Sequence, residues 1–127
     1  QRVAKKYREG NVFLAGDAAH INNPLGGMGM NGGVHDAMNL AEKLVQIWRG
    51  GDPALLGRYE RQRRKVAIET VQATSLRNRQ ILNVREPDKR KAYYEELSAT
   101  ANDPARAKEF LMRTSMIQSL RDLEQVA

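Results

Sequence analysis

A mostly α-helical chain, a short β-hairpin followed by about four helices, is what three features of this sequence predict. Residues 11–15 are a brief apolar run, long enough for one buried strand. Residues 16–33 are rich in Gly, Asn and Pro, so the backbone there can turn sharply and approach something closely. After residue 50 the chain carries helical periodicity almost without interruption.

The elements follow in order. Residues 2–7 alternate weakly, as a strand end does, and Glu9-Gly10-Asn11 reads as the turn into the strand at 11–15, which makes the hairpin. Ala18-Ala19-His20-Ile21 reads as a single helical turn and residues 22–30 as a loop. A helix is expected from about residue 32 to residue 49. Val34, Ala37, Met38, Ala41, Leu44, Val45 and Trp48 give it one apolar face, with Trp48 in the core. Gly50-Gly51 is a C-cap signal. Asp52-Pro53 is a cap-and-proline start for a helix running to about Val84. Pro87 begins a shorter helix to about Thr100, and Asn102-Asp103-Pro104 begins a last one to about residue 124.

Composition sets bounds on function. The 127 residues are enough for one domain or part of one, with 41% hydrophobic and 28% charged residues, ordinary for a globular protein. No apolar run is long enough to span a bilayer, and the charged N-terminus has no signal core behind it. The absence of Cys excludes disulfides, thiolate metal sites and a Cys nucleophile, and fits a cytoplasmic setting. The net charge of +6 includes a cluster at Arg58, Arg61, Arg63, Arg64 and Lys65. With only Tyr59 beside it, the cluster lacks the aromatic interleaving of a nucleic-acid site and reads as a solvated helix face with internal ion pairs.

The unit of strand, glycine loop and helix start points unpaired N–H groups and the positive end of a helix dipole into a cleft, which suits a phosphate-bearing or electron-rich ligand. Its residues run GDAAHxxxPxxGxGxNxGxxDAxNLxxKL from Gly16 to Leu44. This run resembles the second flavin motif of FAD-dependent aromatic-ring hydroxylases. The resemblance is dense over residues 11–45, about a third of the chain, and only general beyond. It implies a fragment of an α/β FAD-binding fold. Residues 1–50 would close the FAD-binding domain and residues 51–127 would form a C-terminal helical region. It also implies a parent monooxygenase using FAD, with NADH or NADPH as reductant, on an aromatic small molecule. The family's glycine turn for the ADP moiety is not in this sequence, so the piece alone is expected to bind FAD weakly or not at all, and not to turn over.

The same resemblance assigns residues. Asp17, after Gly16, would accept from a ribityl hydroxyl of the flavin, the alternative being a cap on the turn that follows. Pro24 would lie against the isoalloxazine ring. Gly27, Gly29, Met30 and Asn31 would set backbone N–H groups at its pyrimidine end. His20, Asp36 and Asn39 would support the loop from behind. No metal is expected, since neither His20 nor His35 has an acidic or Cys partner at ligand spacing. Gly27-Met28-Gly29-Met30-Asn31-Gly32 matches GxGxxG, yet the strand ends too far upstream for a dinucleotide turn, and Asp52 caps the next helix better than it would hold a ribose. The helices after residue 50 would offer a subunit or domain interface, and a homo-oligomer through them or through an exposed apolar edge is part of this reading. A non-catalytic helical interaction module is the alternative, with a basic nucleic-acid binder behind it.

Overall fold

A computed structural model describes residues 2–24 and 27–127. Its strands are two residues long and pair as two separate antiparallel ribbons. β1 (Arg2–Val3) pairs with β4 (His20–Ile21), and β2 (Arg8–Glu9) with β3 (Val12–Phe13). The hairpin is therefore β2–β3, turned by Gly10 at φ 59° and extended by the Leu14 N–H bond to the Tyr7 carbonyl. The helical turn expected at residues 18–21 is displaced. A 3-10 turn covers Gly16–Ala18, and His20 and Ile21 lie in β4, because β1 offers them a partner.

Five helical rods follow. α1 spans Met28–Trp48 and ends as expected at Gly50-Gly51, whose N–H groups bond back to Ile47 and Gln46. It starts four residues earlier than the periodicity indicates, because Gly27 at φ 64° turns the chain into it. α2 (Leu55–Val66) passes through a π-helical stretch, Ala67–Gln72, into α3 (Ala73–Leu82) as one rod. α4 (Pro87–Asn102) and α5 (Pro104–Thr114) begin at their prolines, and Asp103 caps α5 by accepting from Ala105 and Arg106 N–H. The expected last helix is broken. Met116 takes a left-handed φ of 64° and α6 (Ile117–Glu124) continues beyond it. Met116 is buried with Met28, Val66, Val71 and Leu123, so this turn sets its side chain into the core.

α2 organises the rest. Tyr59 packs with Tyr7, Ala19 and Ala67, with Phe13 and Leu40 against them, and its hydroxyl donates to the Leu14 carbonyl at 2.6 Å. Glu60 accepts from the N–H groups of Tyr7 and Arg8, and Arg64 donates to the Ala4 carbonyl. On its other flank Gln62 donates to the Leu123 carbonyl and Arg58 to the Val126 carbonyl. Most of the basic cluster thus closes the fold instead of standing in solvent.

The apolar face assigned to α1 faces outward. Val34, Met38, Leu44 and Val45 are exposed, and Trp48, placed in the core by its spacing, is 91% exposed. α1 buries Met28, Gly32, Asp36 and Lys43 instead. Helical spacing identifies a face but not its partner, and α2 seats against the narrow, glycine-bearing side of α1.

Candidate functional site

The loop and helix start are locked together by small residues around one buried carboxylate. Gly16, at φ 59°, opens the 3-10 turn and lies directly against α1. A Cβ on Gly33 would come within 3.3 Å of the Gly16 Cα, and one on Gly32 within 3.2 Å of the His20 ring. Both glycines therefore serve close approach.

Asp36 sits behind that contact, fully buried. Its Oδ2 accepts from the Gly16 N–H at 2.9 Å and faces His20 Nε2 at 2.8 Å. Its Oδ1 accepts from Arg63 Nε at 2.6 Å. Arg63, 1% exposed, also donates through Nη2 to the Gly32 carbonyl at 3.3 Å. The Asn22 amide donates to His20 Nδ1 at 3.0 Å. Nδ1 is thus the acceptor, and the partners assign the proton to Nε2, which donates to Asp36. Burial alone would raise the Asp36 carboxyl, but hydrogen bonds from His20, Arg63 and Gly16 with the Arg63 charge hold it below the usual carboxylate range. His35 is pushed down, first by burial and then by the Arg63 charge. Burial, with Asp36 adding to it, pushes the Tyr7 and Tyr59 phenols well up, so both stay neutral.

The structure thus places Asp36 on the Gly16 N–H and His20 on Asp36. Asn39 does not reach the loop. Its Nδ2 donates to Gln62 Oε1 at 3.1 Å and its Oδ1 accepts from Lys43 Nζ at 2.8 Å, so it holds the seam between α1 and α2. The sequence places Arg63 in a run that reads as a solvated face with internal ion pairs, and the structure buries it in one of those pairs. The available signal was a lone Asp within the first turns of a helix, since a buried carboxylate needs a cation.

The open rim is made of the residues left without internal work. Asp17 is exposed and bonds to no described residue, and it does not cap its own turn, which has no side-chain cap. Pro24 is exposed, and its carbonyl accepts from the Gly27 N–H at 3.1 Å. Leu25 and Gly26, part of the expected loop, lie outside the described residues. α1 begins with no side-chain cap and no acidic residue in its first turn. Helix geometry leaves the N–H groups of Met28, Gly29 and Met30 without a carbonyl one turn back. A Cβ at Gly27 or Gly29 would meet no atom of a described residue within 4 Å, Met30 is exposed, and the Asn31 amide donates to the Gly27 carbonyl at 3.1 Å. An uncapped, acid-free helix start, with an exposed carboxylate on the turn packed against the same helix, fits a ligand with hydroxyls at one end and an electron-rich ring edge at the other.

Among the described residues no His, Cys, Asp and Glu cluster is placed to hold a metal ion, and no helix is long and apolar enough to cross a membrane.

Comparison with known proteins gives the site its family. Residues 1–74 match the FAD binding domain family. Over 125 residues the chain is 36% identical to para-nitrophenol 4-monooxygenase of Pseudomonas sp. (strain WBC-3), covering 98% of this chain and 31% of that protein. Over 75 residues it is 49% identical to pentachlorophenol 4-monooxygenase of Sphingobium chlorophenolicum, covering 58% of this chain and 14% of that one. The crystal structure of p-nitrophenol 4-monooxygenase PnpA from Pseudomonas putida DLL-E4 superposes with a TM-score of 0.81 at 37% identity, over 88% of this chain and 29% of that one. The chain therefore spans less than a third of the length of these relatives. The match over residues 1–74, more than half of the chain, shows that the chain belongs to the FAD binding domain family.

Proposed function

We propose that this chain is the flavin-facing portion of an NADH- or NADPH-dependent monooxygenase that hydroxylates an aromatic ring. The observation that carries this reading is the acid-free start of α1 beside the unpartnered Asp17, both held in place by the buried Asp36. In this reading Asp17 binds a ribityl hydroxyl. Pro24 lies along the ring, and Gly27 and Gly29 keep side chains out of its way. The N–H groups up to Met30, with Asn31 closing the turn beneath them, face the pyrimidine edge. There the helix start favours negative charge by about 0.3–1 kcal/mol, up to ~2 where partly buried. His20, Asp36 and Arg63 orient the turn. Asn39 acts only through the α1–α2 seam. The flavin, when bound, supplies the redox and oxygen chemistry, and the protein supplies position and local electrostatics.

The outward stripe of α1 from Val34 to Trp48 is where further parts of the FAD-binding domain would pack, which agrees with the 31% span of the nitrophenol relative. Residues 1–50 are the domain's closing segment in this proposal and residues 51–127 its helical region, with a subunit interface on the latter. A cytoplasmic location and the absence of nucleic-acid binding complete the reading.

The test is an FAD titration of the intact protein and of this chain, followed by flavin fluorescence, with Asp17→Ala in both. The intact protein should retain FAD and oxidise NADH or NADPH faster when an aromatic substrate is added. Asp17→Ala should weaken FAD binding about tenfold, the loss of a charge-assisted hydrogen bond. An intact protein that keeps no flavin would overturn the proposal.

A further inference from the structure

A groove of about 640 Å³ runs between Pro24 and the rod that follows α2. Its walls are Ile21, Asn22 and Pro24 on one side and Gln72, Leu76 and Arg79 on the other. Gln72 is the last residue of the π-helical stretch, and Leu76 and Arg79 follow it at spacings of four and three, so all three share one face of α3. Val71 and Ser75, on the adjoining face, are buried. The π stretch re-phases the rod so that one face fills the core while the next lines the groove.

The chemistry of the groove is uneven. Ile21, Pro24 and Leu76 supply apolar walls, and Ile21 and Leu76 are each more than half exposed although they flank a concave surface. Arg79 is the sole charge among the described lining residues, and its exposed guanidinium makes no ion pair or hydrogen bond with a described residue. The floor is fixed, because the Asn22 amide is tied through His20 to Asp36. A trough of this size suits a small planar ligand. An unpaired guanidinium at one end adds a planar donor for an anionic or strongly polar oxygen pair.

We infer that this groove is the aromatic-substrate subsite and that Arg79 selects for rings bearing an anionic oxygen group, with Gln72 and Leu76 shaping the rest of the pocket. This rests on the functional reading above, which puts the flavin ring at Pro24 and so at the mouth of the groove. Arg79 is a specificity residue here, and it takes no part in the redox step.

Benzoate and benzamide differ in charge at nearly constant shape. Their binding to the FAD-loaded intact protein is read from the perturbation of flavin absorbance, which needs no turnover. The wild type should bind benzoate more tightly than benzamide. Arg79→Gln should weaken benzoate about tenfold and leave benzamide and FAD affinity unchanged. Arg79→Lys should retain part of the preference. Equal binding of the two probes by the wild type, a preference that survives Arg79→Gln, or no spectral response to either probe at millimolar concentration would each overturn the inference. A protein that does not load FAD would instead overturn the reading beneath it, so the two failures are distinct.

Discussion

The first eighty residues and the α4–α5 pair are both helical for most of their length, yet they are held by different means. In the first region the decisive contacts join distant residues: Asp36 to Gly16, His20 and Arg63, Tyr59 to Leu14, and Glu60 to Tyr7. α4 and α5 bury no residue at all. They are defined by local signals: a proline at each start, the Asp103 cap, and i,i+3 and i,i+4 pairs such as Glu86–Lys89 and Lys91–Glu95. The contrast teaches that regular structure and site structure have separate sources here. Helices arise from short-range preference, whereas the Gly16 turn is held on α1 by a charge buried behind it.

The sharpest way to break the first region is to remove that charge. Asp36→Ala leaves the Arg63 guanidinium buried and unpaired and should cost about 3–5 kcal/mol in urea denaturation. A loss below about 1 kcal/mol would mean that Arg63 finds water and that Asp36 is not the hub. Acid should act on the same carboxyl. A group held lower in the folded state than in the unfolded chain stabilises above its ordinary value of about 3.9 and loses that contribution as pH falls through its folded value. His35, also depressed, contributes in the same sense, its share fading as pH drops below about 6.5. Melting followed against pH should thus show an acid-side loss from these two groups, and the step at lower pH should vanish in Asp36→Asn.

Smaller effects separate packing from propensity. Gly33→Ala places a methyl against backbone that Asp36 holds in position and should lose about 1 kcal/mol net of the helix preference for Ala. Gly29→Ala, four residues earlier with open space around it, should lose nothing in thermal unfolding. In the second region Asp103→Ala should lose about 1 kcal/mol, since it removes a cap with two backbone donors. Tyr94→Ala, on the exposed side of α4, should change stability by no more than about 0.5 kcal/mol. Equal sensitivity of Gly33 and Tyr94 would erase the distinction between the regions.

How much of this could be read beforehand follows the same division. Pro87, Asp103-Pro104 and Gly50-Gly51 mark their boundaries through local chemistry, and the structure keeps them. The glycine loop and the helix after it were legible as a motif. What was not legible depends on partners. The inward side of α1 was chosen by α2, so Trp48 and its row face out. Arg63 looks like any other member of a basic run until Asp36 is placed beside it. β4 forms only because β1 lies alongside, and the break at Met116 reflects where its side chain is wanted in the core. The π stretch carries no Pro or Gly to announce it.

The Asp36 clamp has a consequence for the order in which the molecule assembles. Its three partners stand 16, 20 and 27 residues away along the chain, and α2 reaches back 45 residues to Leu14. Contacts of that separation form late, after the helices themselves. The Gly16 amide, bonded to the buried Asp36 of α1, is held from solvent while its turn stays seated on that helix. Its exchange rate therefore reports how often the turn lifts off α1. The turn that carries Asp17 is thus completed by contacts that form late in folding.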